Sequence, residues 1–240
     1  MTVSRCLPSP LVGEGARRAD EGEAAHSESV AAPSSVSAAP IHLLPRGEKG
    51  EAGNAPSLIA FFDRDAAIIA PELLGATLTY AGVGGVIVEV EAYHPSDPAS
   101  HSFNGPTPRN LSMFGPVAHV YVYRSYGIHW CVNFVCHGAS AILIRAIEPT
   151  QGLGIMCERR GLEDVRALCS GPGKLCAAMG ITKTDDGKSL YAPPFALELK
   201  PHDRPVHVGK RIGITKAVDV PWRFGIKGSR FLSRKFGAGE

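Results

Sequence analysis

Residues 86–149 constrain the fold more than any other stretch, because their apolar residues recur with a period of two instead of the 3.6 of a helix. The runs VIVEVEAY, VAHVYVYRSYGIHWCVNFV and AILIRAIEP therefore read as strands of a sheet. In the first, Val86, Val88 and Val90 point one way while Ile87, Glu89, Glu91 and Tyr93 point the other. In the second, Tyr121 and Tyr123 share a face, and Trp130, Val132 and Phe134 share a face of the following strand. Arg124-Ser125-Tyr126-Gly127 is the expected connection between them, and it leaves the Tyr126 ring at a tip with no core to enter. In the third, Arg145 lies between Leu143 and Ile147 and needs a buried acceptor. Glu91 is the attractive partner and Glu148 the local alternative. Strand packing does not require Glu91, Tyr93, His101, Tyr121, Tyr123, Asn133 or Arg145, so together they suit a pocket for a flat polar ring.

The flanking segments fill in the rest of the fold. FFDRDAAIIAPELLG has helical spacing at Ala66, Ile69, Leu73 and Leu74, with Pro71 expected to split or kink it and Gly75 to end it. TLTYAGVGG is a strand and a Gly-rich turn leading into the first long strand. Residues 94–116, rich in Pro and Gly, read as a structured loop. Gly152–Arg160 and SGPGKLCAAMG read as helices, the second opening on free N–H groups and Lys174 that suit a phosphate as well as ordinary capping. Because Lys174 is followed by Leu175, this is not a nucleotide-triphosphate loop. FALEL and RIGIT are expected as short late strands.

Charge is unevenly spread. Residues 200–240 carry ten Lys or Arg against Asp203, Asp219 and Glu240, and Arg223, Lys227, Arg230, Arg234 and Lys235 interleave with Trp222, Phe224 and Phe231. Such a stripe suits a polyanion, with a merely solubilising end as the bland alternative. Residues 1–56 contain no aromatic residue and are rich in Ala, Ser, Gly, Pro and Glu, so they are expected to form a mobile extension ahead of one domain over residues 57–240. The six cysteines match no zinc or iron–sulfur spacing, and neither HExxH nor a calcium loop is present. The chemistry is therefore expected to need no metal or cofactor. No apolar run is long enough for a bilayer, and the expected location is cytoplasmic.

Ten short motifs then narrow the reading: EAY at 91–93, ASHS at 99–102, TPRN at 107–110, MFGP at 113–116, VYVY at 120–123, YG at 126–127, CVN at 131–133, LIRAIEP at 143–149, CSGPGKLC at 169–176 and RFGIKGS at 223–229. Together they resemble the alkyladenine (3-methyladenine) DNA glycosylase family over about residues 57–236. The resemblance implies a mixed α/β (α+β) fold, a single domain around a curved antiparallel sheet with a protruding β-hairpin. It implies a monofunctional glycosylase acting as a monomer on double-stranded DNA, removing alkylated or deaminated purines such as 3-methyladenine, hypoxanthine and ethenoadenine. By the same resemblance Glu91 activates the attacking water and Arg145 positions it. Tyr93, His101, Tyr123 and Asn133 line the base pocket, and Tyr126 enters the duplex. Arg109, Lys174, Lys227 and Arg230 are the expected backbone contacts. Ile128, His129 and Trp130 fall where the family varies.

The chemistry supports that division of labour. Breaking a purine–deoxyribose bond builds positive charge on the sugar while water arrives from the opposite side, and one carboxylate can serve both needs. Sugar-chain hydrolases usually need two opposed carboxylates; Glu89, two residues from Glu91 on the same strand face, is read as structural. Two other classes remain in view: a nucleic-acid binder without turnover, disfavoured by Glu91, and a formyl-transfer module, disfavoured by the missing Asn/His/Asp apparatus. Release of free base from a lesion duplex separates all three.

Overall fold

The computed structural model describes residues 55–237, and the expectation of a mobile extension falls almost wholly outside them. Among the described residues the chain opens with two helices, α1 (Ala55–Phe62) and α2 (Ala66–Leu73). The break between them comes at residues 63–65 and not at Pro71, which lies within α2. Asp65 decides this: its side chain accepts the Ala67 N–H at 2.8 Å and restarts the helix, a cap whose loss typically costs about 1 kcal/mol. Pro71 has no N–H to bond back to the Ala67 carbonyl, and the helix ends two residues beyond it.

Among the described residues eight strands build one antiparallel sheet: β1 (Thr77–Tyr80), β2 (Val83–Tyr93), β3 (Val120–Ser125), β4 (His129–Val135), β5 (Ala141–Gln151), β6 (Phe195–Glu198), β7 (Val206–Gly209) and β8 (Arg223–Ile226). Their main order is β3-β4-β5-β2-β1-β6, with β8 joining β2 and β7 joining β8. β2 is the hub. Along one edge it pairs with β5, and along the other it meets β1 through Val83–Val86 and then β8 through Glu89–Glu91. Its register against β5 shifts between Ile87 and Glu89 and again between Glu89 and Val90, and such irregularities bend a strand and increase its twist. Close approach also matters here: a Cβ on Gly85 would lie 2.0 Å from the Glu148 carbonyl oxygen. The sheet is curled in consequence.

Its two faces differ in kind. Val88, Val90, Val120, Val122, Val132, Phe134, Ile142 and Ile144 pack into the main core against the helices, where Phe62 meets Phe134 edge-on with centroids 5.8 Å apart. Fully burying one such side chain stabilises the fold by about 1.5–3 kcal/mol. Ile87, on the other face by alternation, also joins this core, opposite Ile147 and beyond the register shift. On the second face a small cluster of Met113, Tyr121, Val135 and Ala141, with Tyr123 against it, borders a cavity.

Helices α3 (Leu153–Arg160), α4 (Val165–Leu168) and α5 (Pro172–Met179) follow β5. Two late expectations are corrected. RIGIT is a loop on the cavity wall, not a strand, and the strands there are β7 and β8. The hairpin connection is also shorter than expected, Tyr126-Gly127-Ile128, because Ser125 pairs with His129. The described cysteines are free thiols. No helix among the described residues is long and apolar enough to cross a membrane.

Candidate active site

The sheet register assembles the site from residues distant in sequence. Tyr121 lies opposite Asn133, Asn133 opposite Leu143, Leu143 opposite Glu91, and Glu91 opposite Arg223, one row across β3, β4, β5, β2 and β8. Residues directly opposite in a sheet share a face. Above this row is a cavity of about 780 Å³ whose wall includes Tyr93, His101, Tyr121, Tyr123, Asn133 and Arg145.

Glu91 is fully buried beneath that wall. Its Oε1 accepts the Ile212 N–H at 2.7 Å, and its Oε2 accepts the Tyr93 hydroxyl at 2.9 Å and lies 3.1 Å from Arg145 Nη1. Ile212, Tyr93 and Arg145 all line the cavity. A carboxylate has about four lone-pair sites, so these three partners leave about one, on Oε1, for a water. Arg145 has the acceptor its position demanded, but twice over: Nε also donates to Glu89 Oε1 at 3.0 Å. Burial pulls the pKa of this guanidinium down, yet Glu91 and Glu89 outweigh burial and hold it raised.

Glu89 is structural and more heavily committed than its sequence position suggests. Besides Arg145, it takes Arg223 Nε at 2.8 Å, Ser233 Oγ at 2.7 Å and the Ser233 N–H. Arg223, grouped by composition with the polyanion-binding basic residues, is buried and spent on Glu89 and on the Arg234 carbonyl.

The aromatic wall is tightly organised. The Tyr121 and Tyr123 rings stack with centroids 5.5 Å apart and planes at 22°. His101 sets its edge against Tyr123 at 4.4 Å, and its Nδ1 lies 2.9 Å from the Tyr121 hydroxyl. Burial, and then the charge of Arg109, draw the His101 imidazole below its ordinary pKa, so the ring is neutral at pH 7. Burial pushes the Tyr121 phenol up to about 12 and raises Tyr123 and Tyr93 as well, keeping all three protonated donors. Asn133, buried, donates to the Tyr121 carbonyl at 3.1 Å, which fixes its amide toward the cavity wall. The contact with His101 and a place among the lining residues put Tyr121 in the wall as well. Burial also raises the nearby Cys131 thiol to about 11.

At the rim, Tyr126 is 81% exposed and held at φ 50°, with its hydroxyl donating to the Gly213 carbonyl at 3.2 Å. A bulky residue in that left-handed region is strained. Arg109 and Lys174 also line the cavity, joined by Lys216, which the motifs did not single out. Gly171, Pro172 and Gly173 bring the start of α5 to the same wall, and a Cβ on Gly173 would lie 2.7 Å from His129 Cβ. Lys227 and Arg230 are exposed beyond β8 and do not line the cavity, Arg230 lying over the Phe231 ring at 5.4 Å.

Comparison with known proteins agrees with this architecture. The family model described as methylpurine-DNA glycosylase matches residues 60–230. A candidate 3-methyladenine DNA glycosylase of Agrobacterium fabrum is 59% identical over 177 residues, covering 74% of this chain and 92% of that protein. Candidates of the same name from Rhodopseudomonas palustris and Nitrosospira multiformis are 62% and 60% identical, covering 73% of this chain in each case and 87% and 92% of those proteins. With matches of that extent, the chain belongs to the methylpurine-DNA glycosylase family and is a hydrolytic DNA glycosylase.

Proposed function

We propose that this chain, as a monomer, removes alkylated and deaminated purines such as 3-methyladenine, hypoxanthine and ethenoadenine from duplex DNA, and so initiates base excision repair. The observation that carries the reading is Glu91: a buried carboxylate bonded to three groups of an aromatic cavity wall, with one acceptor site left. The damaged nucleotide swings out of the duplex and its base enters against Tyr93, His101 and Tyr123. Water held on Glu91 and oriented by Arg145 attacks the sugar carbon, Glu91 takes its proton, and the same negative charge steadies the cationic sugar. A purine already cationic by alkylation leaves with little acid assistance, and the tyrosine faces favour it. Asn133 rejects normal purines bearing an unwanted exocyclic group.

Arg109 and Lys174 at the rim meet the phosphates beside the extruded nucleotide, and Lys227 and Arg230 extend the backbone contacts. No step requires a metal. The work is done where the DNA lies, in the cytoplasm. Single-turnover release of free base from otherwise identical duplexes carrying 3-methyladenine, 7-methylguanine, hypoxanthine or ethenoadenine tests the reading. Tight lesion binding without release would make the protein a binder and not an enzyme for these bases.

Tyr126 is the wedge that fills the gap left by the extruded base. Filling it offsets part of the few kcal/mol spent on unpairing and unstacking. Tyr126→Ser is expected to slow hypoxanthine excision by about tenfold or more from a stably paired site, less from a mismatch, and least from single-stranded DNA. An equal loss on all three substrates would place Tyr126 in the pocket or the fold instead.

A further inference from the structure

Arg211 precedes the run of five residues, Ile212 to Lys216, that forms one wall of the cavity, yet its own side chain is not on that wall. The guanidinium is fully buried and paired with Asp97, itself buried. Nη1 also donates to the Ala92 carbonyl at 3.1 Å, whereas the buried Nε has no hydrogen-bond acceptor. What the cation does meet is aromatic. Its Cζ lies 4.8 Å from the centroid of the Tyr93 ring and 5.4 Å from that of Trp222. Tyr93 lines the cavity and Arg211 does not, so a fixed positive charge stands behind a ring that a bound base would touch.

A tyrosine face attracts cations through its quadrupole. When one face already holds a guanidinium, electron density is drawn toward it, and a second cation on the other face meets both a poorer ring and direct repulsion across a region of low dielectric. A neutral purine escapes both effects. Asp97 offsets part of the charge, so the pair acts as a setting between two extremes and not as a block. We propose that Arg211 and Asp97 set the charge preference of the pocket, holding back cationic alkylpurines relative to neutral lesions so that one cavity accepts both. This rests on the reading of the cavity as a damaged-purine pocket. Arg211 is a positioning residue in this account, acting through Tyr93.

The test is a ratio: single-turnover excision of 7-methylguanine, cationic in the nucleoside, over that of hypoxanthine, neutral, in one duplex context at saturating enzyme. Replacing the pair together, Asp97→Asn with Arg211→Met, removes the charge without leaving a buried ion unpaired, and the ratio should rise by about three- to tenfold. Asp97→Asn alone leaves the cation uncompensated, and the ratio should fall. Arg211→Lys keeps the charge, and the ratio should stay within about twofold of wild type even where both rates decline. An unchanged ratio in the double variant, with both rates reduced alike, would overturn the proposal and leave Arg211 a packing residue. Should the double variant not fold, an unchanged ratio in Asp97→Asn overturns it equally. If the wild type releases neither base, the pocket reading itself fails, which is a different result from an unmoved ratio.

Discussion

Glu91→Gln is expected to lower single-turnover base release by at least about 10²–10⁴-fold, the usual weight of a general base, while affinity for a lesion duplex stays within about twofold. The amide has nearly the same shape, so the cavity wall survives the change. Arg145 keeps Glu89 as a partner, which protects the fold from an isolated buried cation. What is lost is the charge on Oε2 that faces Tyr93 and Arg145, and the acceptor on Oε1 through which a water would be deprotonated. Base release and duplex binding should be measured on the same preparation. Wild-type turnover in the variant would remove Glu91 from the chemistry, and a parallel loss of binding would make it a structural anion.

The largest effect on stability is expected at Glu89. This carboxylate is fully buried and is the common acceptor for Arg145, Arg223 and Ser233. Glu89→Leu would leave Arg145 with Glu91 as its carboxylate and strip Arg223 of the carboxylate it is paired with, and breaking a buried pair from one side costs about 3–5 kcal/mol. In a domain of this size that lowers the unfolding midpoint by about 6–20 °C. Thermal unfolding of variant and wild type in one buffer checks it, and a shift of under about 2 °C would show that the arginines find other partners. Base release should fall too, even well below the midpoint, since Arg145 loses the group that holds its Nε.

The two variants separate roles that alternation alone could not. Glu89 and Glu91 are both carboxylates on one face of β2, and their spacing says nothing about which is free to act. Glu89 has four donors from three residues around it, two of them from the C-terminal segment. Glu91 has three, each from a residue that lines the cavity. The difference comes from residues 212, 223 and 233, far along the chain from either.

What the sequence by itself determined is local and periodic. Val88 and Val90 face one way and Glu89 and Glu91 the other because a strand's side chains alternate, and β3 and β4 place their tyrosines and valines by the same rule. Gly152 and the SGPG run set the starts of α3 and α5 through backbone geometry that neighbouring residues dictate. The motifs carried the family, because each is a short run whose residues are adjacent in the chain. Strand register was not legible in this way. Nothing in the spacing of Tyr121, Asn133, Leu143, Glu91 and Arg223 says that they form one row, since register depends on pairings between residues from ten to more than a hundred positions apart. The same limit explains the errors at the C-terminal end. RIGIT alternates like a strand but has its backbone spent on Glu91 and the cavity wall, and Arg223 has the composition of a DNA contact but finds a buried anion. A basic residue near the chain's end looks alike in either role. Only the tertiary structure, by bringing Glu89 within 2.8 Å of Arg223, decides that its charge is needed inside.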